Sequence, residues 1–161
     1  MLSLGSNLGD RMAWLNTACA ALEKLPGVRL IGRSPIYETE PLGVPDAFAH
    51  HLFLNGVVIV ESCLTPLVFS RLIHDIEDRL GRIRGGTPNQ PRTIDIDIIT
   101  FGDLVCASPA LTVPHPRALE RRFVLQPLAD LRPDFIFPDS TQTVSELLRL
   151  LPVRPACHPV A

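Results

Sequence analysis

Strand-like and helix-like segments alternate along this chain in an order that predicts an α+β sandwich, a mainly antiparallel sheet with helices packed on its faces. Three observations carry that expectation. Residues 11–25 and 66–80 repeat apolar side chains at helical spacing, and each run stops at a glycine, Gly27 or Gly81. Residues 1–4, 28–34, 52–61 and 93–100 are short segments of strand composition. Their order reads β-α-β-β-α-β with C-terminal additions, which is the order of a ferredoxin-like sandwich with both helices on one face. At 161 residues, one domain over 1–161 is expected, with a frayed proline-rich tail over 152–161.

The first strand, Met1–Leu4, runs into Gly5-Ser6-Asn7-Leu8-Gly9-Asp10, where glycines and Asn permit a tight turn. That turn is read either as a plain strand-to-helix connection or as backbone close to a ligand. It is not a P-loop, because no Gly-Lys-Ser/Thr follows. The helix after it places Trp14, Leu15, Ala18, Leu22 and Leu25 on one stripe, and Pro26-Gly27 ends it. Residues 28–34 and 35–39 form a strand continuing into an extended edge. The loop from Glu40 to His50 is long enough to be a lid or binding loop.

Residues 52–61, LFLNGVVIVE, form a strong strand in which Phe53, Asn55, Val57 and Ile59 share a face. Asn55 interrupts that apolar face, so its amide must find partners, either within the fold or on a ligand edge. Thr65-Pro66 opens the second helix with a cap residue and a first-turn proline, and the helix buries Phe69, Leu72, Ile73, Ile76 and Leu80. Arg82 and Arg84 then lead into a Gly- and Pro-rich loop over 85–91, expected to close over ligands. Leu104-Val105 adds a short strand, and prolines hold 111–117 extended, with His115 fixed between two of them. Arg117, Arg121 and Arg122 follow as candidate phosphate contacts. Phe123 is read as core or as a stacking platform. Thr143 and Glu146 form a capping box for the last helix.

The strand 93–100 carries the chemistry. Ile94, Ile96 and Ile98 share one face, and Asp95 and Asp97 share the other, their Cα atoms roughly 6.5–7 Å apart by strand rise. Two like charges so placed repel, and a folding requirement alone would be met by Thr or Lys. Carboxylate oxygens are the ligands a hard cation such as Mg²⁺ takes. Arg92, held just ahead of them by Pro91, offers a planar fork to phosphate oxygens. The combination predicts a phosphate-and-magnesium site.

Composition narrows the function classes. Hydrophobic residues make up 46% and charged residues 20%, which argues against disorder. A formal charge of -2 gives no global basic field for nucleic acid, so a polyanionic ligand must meet a local cluster. Cys19, Cys63, Cys106 and Cys157 are too scattered for a zinc pattern and are read as reduced thiols. No run reaches about 18 apolar residues, and a cytoplasmic protein without a membrane partner is expected.

Six segments in order, LGSNLGDR at 4–11, YETEPLG at 37–43, FLNGVV at 53–58, IEDRLGRIR at 76–84, PRTIDIDII at 91–99 and TVPHPR at 112–117, give the chain a resemblance covering nearly its whole length. It resembles the 6-hydroxymethyl-7,8-dihydropterin pyrophosphokinase family. The resemblance implies a ferredoxin-like fold and transfer of the β,γ-pyrophosphoryl group of ATP to the pterin hydroxymethyl oxygen, releasing AMP, in folate biosynthesis. It implies catalytic roles for Arg82, Arg92, Asp95 and Asp97, with the two acids holding two Mg²⁺. It assigns Glu77, Arg84, Ile98, Thr112, His115 and Arg121 to ATP. Thr39, Pro41, Leu42, Phe53, Asn55 and Phe123 would bind the pterin, the two phenylalanines enclosing the ring. A monomer acting on these two small molecules is expected. Pro88-Asn89-Gln90 departs from the family's usual basic-aromatic-Gly approach to Pro91, and Ala110 stands where some members carry a basic residue. The alternatives are a non-catalytic ferredoxin-like ligand-binding module and a metal-dependent phosphodiesterase. The first needs no paired acids, and the second lacks a basic groove.

Overall fold

The computed structural model describes residues 1–85 and 89–160. The strands are β1 (Leu2–Ser6), β2 (Val28–Arg33), β3 (Tyr37–Thr39), β4 (Phe53–Ser62), β5 (Asp95–Ile98), β6 (Cys106–Ser108), β7 (Leu111–Val113) and β8 (Cys157–Pro159). The α-helices are α1 (Arg11–Glu23), α2 (Pro66–Arg79), α3 (Arg122–Leu131) and α4 (Val144–Leu150). The main sheet runs β5-β1-β4-β3-β8, with β2 also paired to β4, and every named pairing is antiparallel. The ferredoxin-like order read from the sequence is the one observed.

Local chemistry explains the elements. Asp10 caps α1 by accepting the Ala13 N–H at 3.0 Å, and the helix buries Leu15, Ala18, Cys19 and Leu22. Pro66 opens α2, although the Thr65 side chain makes no cap bond, and Gly81 ends it in a left-handed conformation at φ 80°. Ile94, Ile96 and Ile98 all point into the core that α1 and α2 close over one sheet face. Burying each such side chain is worth about 1.5–3 kcal/mol, enough to fix the register and with it the direction of Asp95 and Asp97.

The other face of the sheet is covered at one end by α3 and α4, which pack Val124, Leu125, Leu128 and Val144 against Val57 and Ile99. The helices therefore lie on both faces, not on one. The remaining end of that second face, where β1, β4 and β5 present Gly5, Asn55 and Asp95, stays open.

Four further expectations are corrected. Gly5 and Ser6 belong to β1 and pair with β4, so the turn starts only at Asn7. The short strand after Gly102 is not 104–105 but the β6–β7 hairpin, because Leu104 and Val105 are left exposed. Residues 35–39 do not form an outer edge, and residues 157–159 of the tail are ordered as a strand: β8 pairs with β3, matching Tyr37 with Pro159 and Thr39 with Cys157. The break between β2 and β3 falls at Ser34-Pro35, where Ser34 Oγ accepts the Val57 N–H at 2.9 Å in place of a ladder bond. The expectations placed on Gly86 and Pro88 in the closing loop lie outside the described residues, as does Ala161 at the end of the tail.

Candidate active site

The sheet register sets the site. Gly5 on β1 is the partner of Asn55 on β4 and of Asp95 on β5, so the three form a row across the strands. At the usual strand spacing, Asn55 and Asp95 stand about 10 Å apart on the same open face. Ser3 ties the next row, pairing with Val57 and Asp97. Above these rows lies a cavity of about 320 Å³. Its walls include Thr39, Leu42, Phe53 and Asn55 at one end, and Arg92, Asp95, Asp97, Arg121 and Phe123 elsewhere.

Asn55 is 4% exposed, and its Nδ2 donates to Thr39 Oγ1 at 2.6 Å. Phe53 and Phe123 both border the cavity, each with a guanidinium on its ring: Arg92 lies 5.2 Å from the Phe53 centroid and Arg121 5.4 Å from that of Phe123. Each pair sets a flat apolar face beside a positive group. Phe123 meets both readings: it is half-buried, packs against the second core and also lines the pocket.

The acids sit among cations. Asp95 accepts from Arg82 through Oδ1, and its Oδ2 forms an ion pair with Arg92 at 2.8 Å. Asp97 Oδ2 lies 3.5 Å from Arg121 Nη1 and 3.8 Å from His115 Nε2. Burial pushes the Asp97 carboxyl above its ordinary range, and the negative charge of Asp95 pushes it further. Burial holds the His115 imidazole below its usual value. The Arg117 N–H donates to His115 Nδ1 at 3.1 Å, which leaves the proton of the neutral ring on Nε2, toward Asp97. Burial alone would lower Arg82, but the charges of Asp95 and Glu77 and their hydrogen bonds more than offset it, and the guanidinium is held firmly protonated.

Behind this cluster lies Glu77, only 1% exposed. Its Oε1 accepts the Ile96 N–H at 2.7 Å and a bond from Arg82, and its Oε2 accepts from Arg84. Burial pushes its carboxyl up despite both guanidiniums. The structure thus gives Glu77 a bracing position between α2, β5 and the arginines, outside the cavity wall. Arg84 also pairs with Asp78. Ile98 commits its side chain to the core, and Thr112 is exposed on β7, so neither lines the cavity. Pro41 is half-buried beside the wall formed by Thr39, Glu40 and Leu42. Arg122 turns away altogether: its guanidinium donates to the carbonyls of Leu148, Leu151 and Pro152.

Asn7 carries no functional signal in the sequence beyond its place in a turn. It is 4% exposed, accepts the Arg92 N–H through Oδ1 at 2.8 Å, and donates its own N–H to the Arg92 carbonyl at 3.2 Å. It clamps the backbone that aims Arg92. Glu120 and Arg117 also border the cavity.

The donor chemistry of Asp95 and Asp97 fits a hard divalent cation. Two carboxylates project from one strand face into a place that already draws guanidinium groups. Among the described residues, no cluster of three or more His, Cys, Asp or Glu residues suited to a metal is formed. Two carboxylates with the rest of the shell left to phosphate and water is the arrangement Mg²⁺ accepts, and a transition metal would seek more protein ligands.

An open sheet end carrying paired acids, an arginine cluster and an aromatic-walled cavity is the kind of site in which a phosphorylated nucleotide meets a flat heterocycle. Residues 1–133 match the model of the 7,8-dihydro-6-hydroxymethylpterin-pyrophosphokinase (HPPK) family, and the chain belongs to that family. The 2-amino-4-hydroxy-6-hydroxymethyldihydropteridine pyrophosphokinase of Pseudomonas aeruginosa is 40% identical over 94% of this chain and 90% of its own length. The enzyme of the same name from Bacillus subtilis is 41% identical over 81% of this chain and 75% of its own. The folic acid synthesis protein fol1 of Schizosaccharomyces pombe is 42% identical over 94% of this chain, which spans only 20% of that longer protein. The fold is shared with the crystal structure of Plasmodium falciparum HPPK-DHPS with pterin and p-hydroxybenzoate, at a TM-score of 0.71 and 19% identity over 92% of this chain and 40% of that one.

Proposed function

We propose that this chain catalyses ATP-dependent pyrophosphoryl transfer to the hydroxymethyl group of 6-hydroxymethyl-7,8-dihydropterin, releasing AMP, as a step of folate biosynthesis. The observation that carries the reading is the row Asn55–Gly5–Asp95, which puts a polar reader between aromatic walls about 10 Å from a carboxylate bound by two arginines.

In this reading, Phe53 and Phe123 hold the pterin ring, while Asn55, fixed by Thr39, reads its polar edge with help from the backbone over 39–42. The hydroxymethyl oxygen then points toward Asp95 and Asp97. It attacks the β-phosphorus, a bond forms from that oxygen to phosphorus, the bond from the β-phosphorus to the α,β-bridging oxygen breaks as AMP leaves, and the hydroxyl proton is released to water. Such a transfer asks the protein for positioning and charge neutralisation rather than covalent chemistry. Arg82, Arg92 and Arg121 exchange their present carboxylate contacts for phosphate oxygens, with His115 donating from Nε2. Asp95 and Asp97 would hold Mg²⁺, two ions in our reading, which when bound neutralise phosphate charge and lower the barrier to attack. Glu77 and Asn7 keep the arginines aimed. No side chain is assigned as general base.

We further propose that the chain works as a single-domain monomer in the cytoplasm. Among the described residues, no helix is long and apolar enough to cross a membrane. The test is to incubate the protein with ATP, Mg²⁺ and the reduced hydroxymethylpterin and follow AMP. AMP formed only when pterin is present supports the reading. Binding of pterin without AMP would favour a non-catalytic module.

A further inference from the structure

We propose that the C-terminal strand β8 is a positioning element of the pterin wall, latched by Arg122, so that the last residues of the chain set affinity for the pterin but not for the nucleotide. The proposal rests on the reading of the cavity given above. It concerns a segment beyond the residues 1–133 that match the family model.

Three contacts place β8 against the wall. It pairs with β3 in the register Tyr37–Pro159, Glu38–His158 and Thr39–Cys157. The Val160 N–H donates to the Ile36 carbonyl at 2.8 Å. The Ala156 N–H lies 3.4 Å from Glu40 Oε2. Thr39 is the residue that fixes Asn55, and Thr39 and Glu40 both border the cavity. The chain of support therefore runs from β8 through Thr39 to the amide that reads the ligand.

The other end of the tail is held by the packing of Leu151 on the second core and by one side chain that bonds its backbone. Arg122, the first residue of α3, donates to the carbonyls of Leu148, Leu151 and Pro152 at 2.9–3.3 Å. Its neighbours Arg121 and Phe123 line the cavity, so the latch and the pocket share the start of one helix. The path from β8 through Thr39 to Asn55 includes neither acid and no arginine, whereas Arg121, beside the latch, pairs with Asp97.

The ladder geometry supplies a selective test. Ile36 and Val160 form a hydrogen-bonded pair, and such pairs alternate along an antiparallel ladder. Glu38 and His158 are therefore the next bonded pair, while Pro159, which has no N–H to give, sits at a non-bonded position. His158→Pro removes a ladder donor from an exposed residue, whereas His158→Ala keeps it. Arg122→Ala releases the far end independently.

Calorimetric titration of the full chain with the reduced hydroxymethylpterin, and separately with a non-hydrolysable ATP analogue, reads the effect. Losing one ladder bond should weaken pterin binding about tenfold in His158→Pro, and Arg122→Ala should act in the same direction. In His158→Pro, nucleotide affinity should stay within about twofold and KM for pterin should rise with kcat retained, while His158→Ala should match the parent. Hydrogen exchange at Glu38 and Val160 shows whether the ladder has opened. An opened ladder with unchanged pterin affinity overturns the proposal, as does a ladder that stays closed in both variants, or equal loss of both ligands. A parent protein that binds no pterin and forms no AMP would instead defeat the functional reading itself.

Discussion

Gly5 and Asn55 face each other across β1 and β4 so closely that a Cβ on Gly5 would lie 2.6 Å from Asn55 Oδ1. The glycine is needed here for space, because its neighbour's amide fills the volume a side chain would take. Asn55 is buried and tied to Thr39, so it has little room to retreat.

Gly5→Ala should therefore displace the Asn55 amide while leaving the fold intact, and Asn55→Ala should remove it. Each is expected to cost about 1–3 kcal/mol of pterin affinity, the usual penalty for a lost bond to a buried polar group. ATP affinity should hold in both. Parallel titrations with the two ligands check this, and an equal loss for both would make Asn55 a purely structural residue.

Glu77→Gln should separate bracing from contact. The amide offers one oxygen where the carboxylate offered two, so an NH₂ group must face either the Ile96 N–H or an arginine. Stability should fall by about 1–3 kcal/mol, and nucleotide affinity with it, because Arg82 and Arg84 lose their common anchor. Pterin affinity should not change. Denaturant unfolding beside nucleotide titration gives both numbers, and a variant with parental nucleotide affinity would remove the bracing role.

The chain's single tyrosine offers a pH test of the joint between β3 and α3. Burial, then the hydrogen bond to Asp130, push the Tyr37 hydroxyl up to about 12 from an ordinary value of 10.0. Its OH donates to Asp130 Oδ2 at 2.7 Å. A pKa raised on folding means that the contribution is fully present below the unfolded value and is lost as pH climbs through the folded one. Stability should thus decline between about pH 10 and 12, and Tyr37→Phe should lose about 1 kcal/mol at neutral pH and flatten that decline. Tyrosinate absorbance of the folded protein reports the titration directly, and an inflection near pH 10 would contradict it.

These contrasts show what the sequence made legible. The alternation of Ile94, Ile96 and Ile98 with Asp95 and Asp97 was readable because strand periodicity and burial act on the same residues. Asn55 stood out as one polar residue in an apolar strand. Glu77 was harder to interpret locally: in the run Asp75, Glu77, Asp78 and Arg79 it looks like any solvated helix residue, and only the arrival of the Ile96 N–H gives it a buried role. Arg122 reads as a phosphate ligand like Arg121 because adjacent arginines look alike in sequence, yet helix geometry sends them opposite ways. β8 is hidden in the sequence because its prolines read as a tail. Pro159 is tolerated only because its pairing position needs no N–H, and that depends on a partner strand about 120 residues away.

The last prediction separates the two acids. Asp95 is bound on both oxygens, by Arg82 and Arg92, whereas Asp97 has only longer contacts, to Arg121 and His115, and its carboxyl is pushed up by burial and by Asp95. Asp97→Asn should therefore leave stability unchanged or slightly raised, because it removes an unfavourable charge. Asp95→Asn should lower stability by about 1–3 kcal/mol, because two guanidiniums lose an anionic partner. Turnover should nonetheless collapse in both, since an amide neutralises none of a bound cation's charge and several kcal/mol of transition-state stabilisation go with it. Added Mg²⁺ should restore part of the rate if only affinity is lost, and none if the geometry of the phosphates is lost as well. Thermal unfolding and AMP release measured on the same preparations decide the matter. A double Asn variant that still makes AMP from ATP and the pterin at the parent's rate would end the assignment of this strand as the catalytic one.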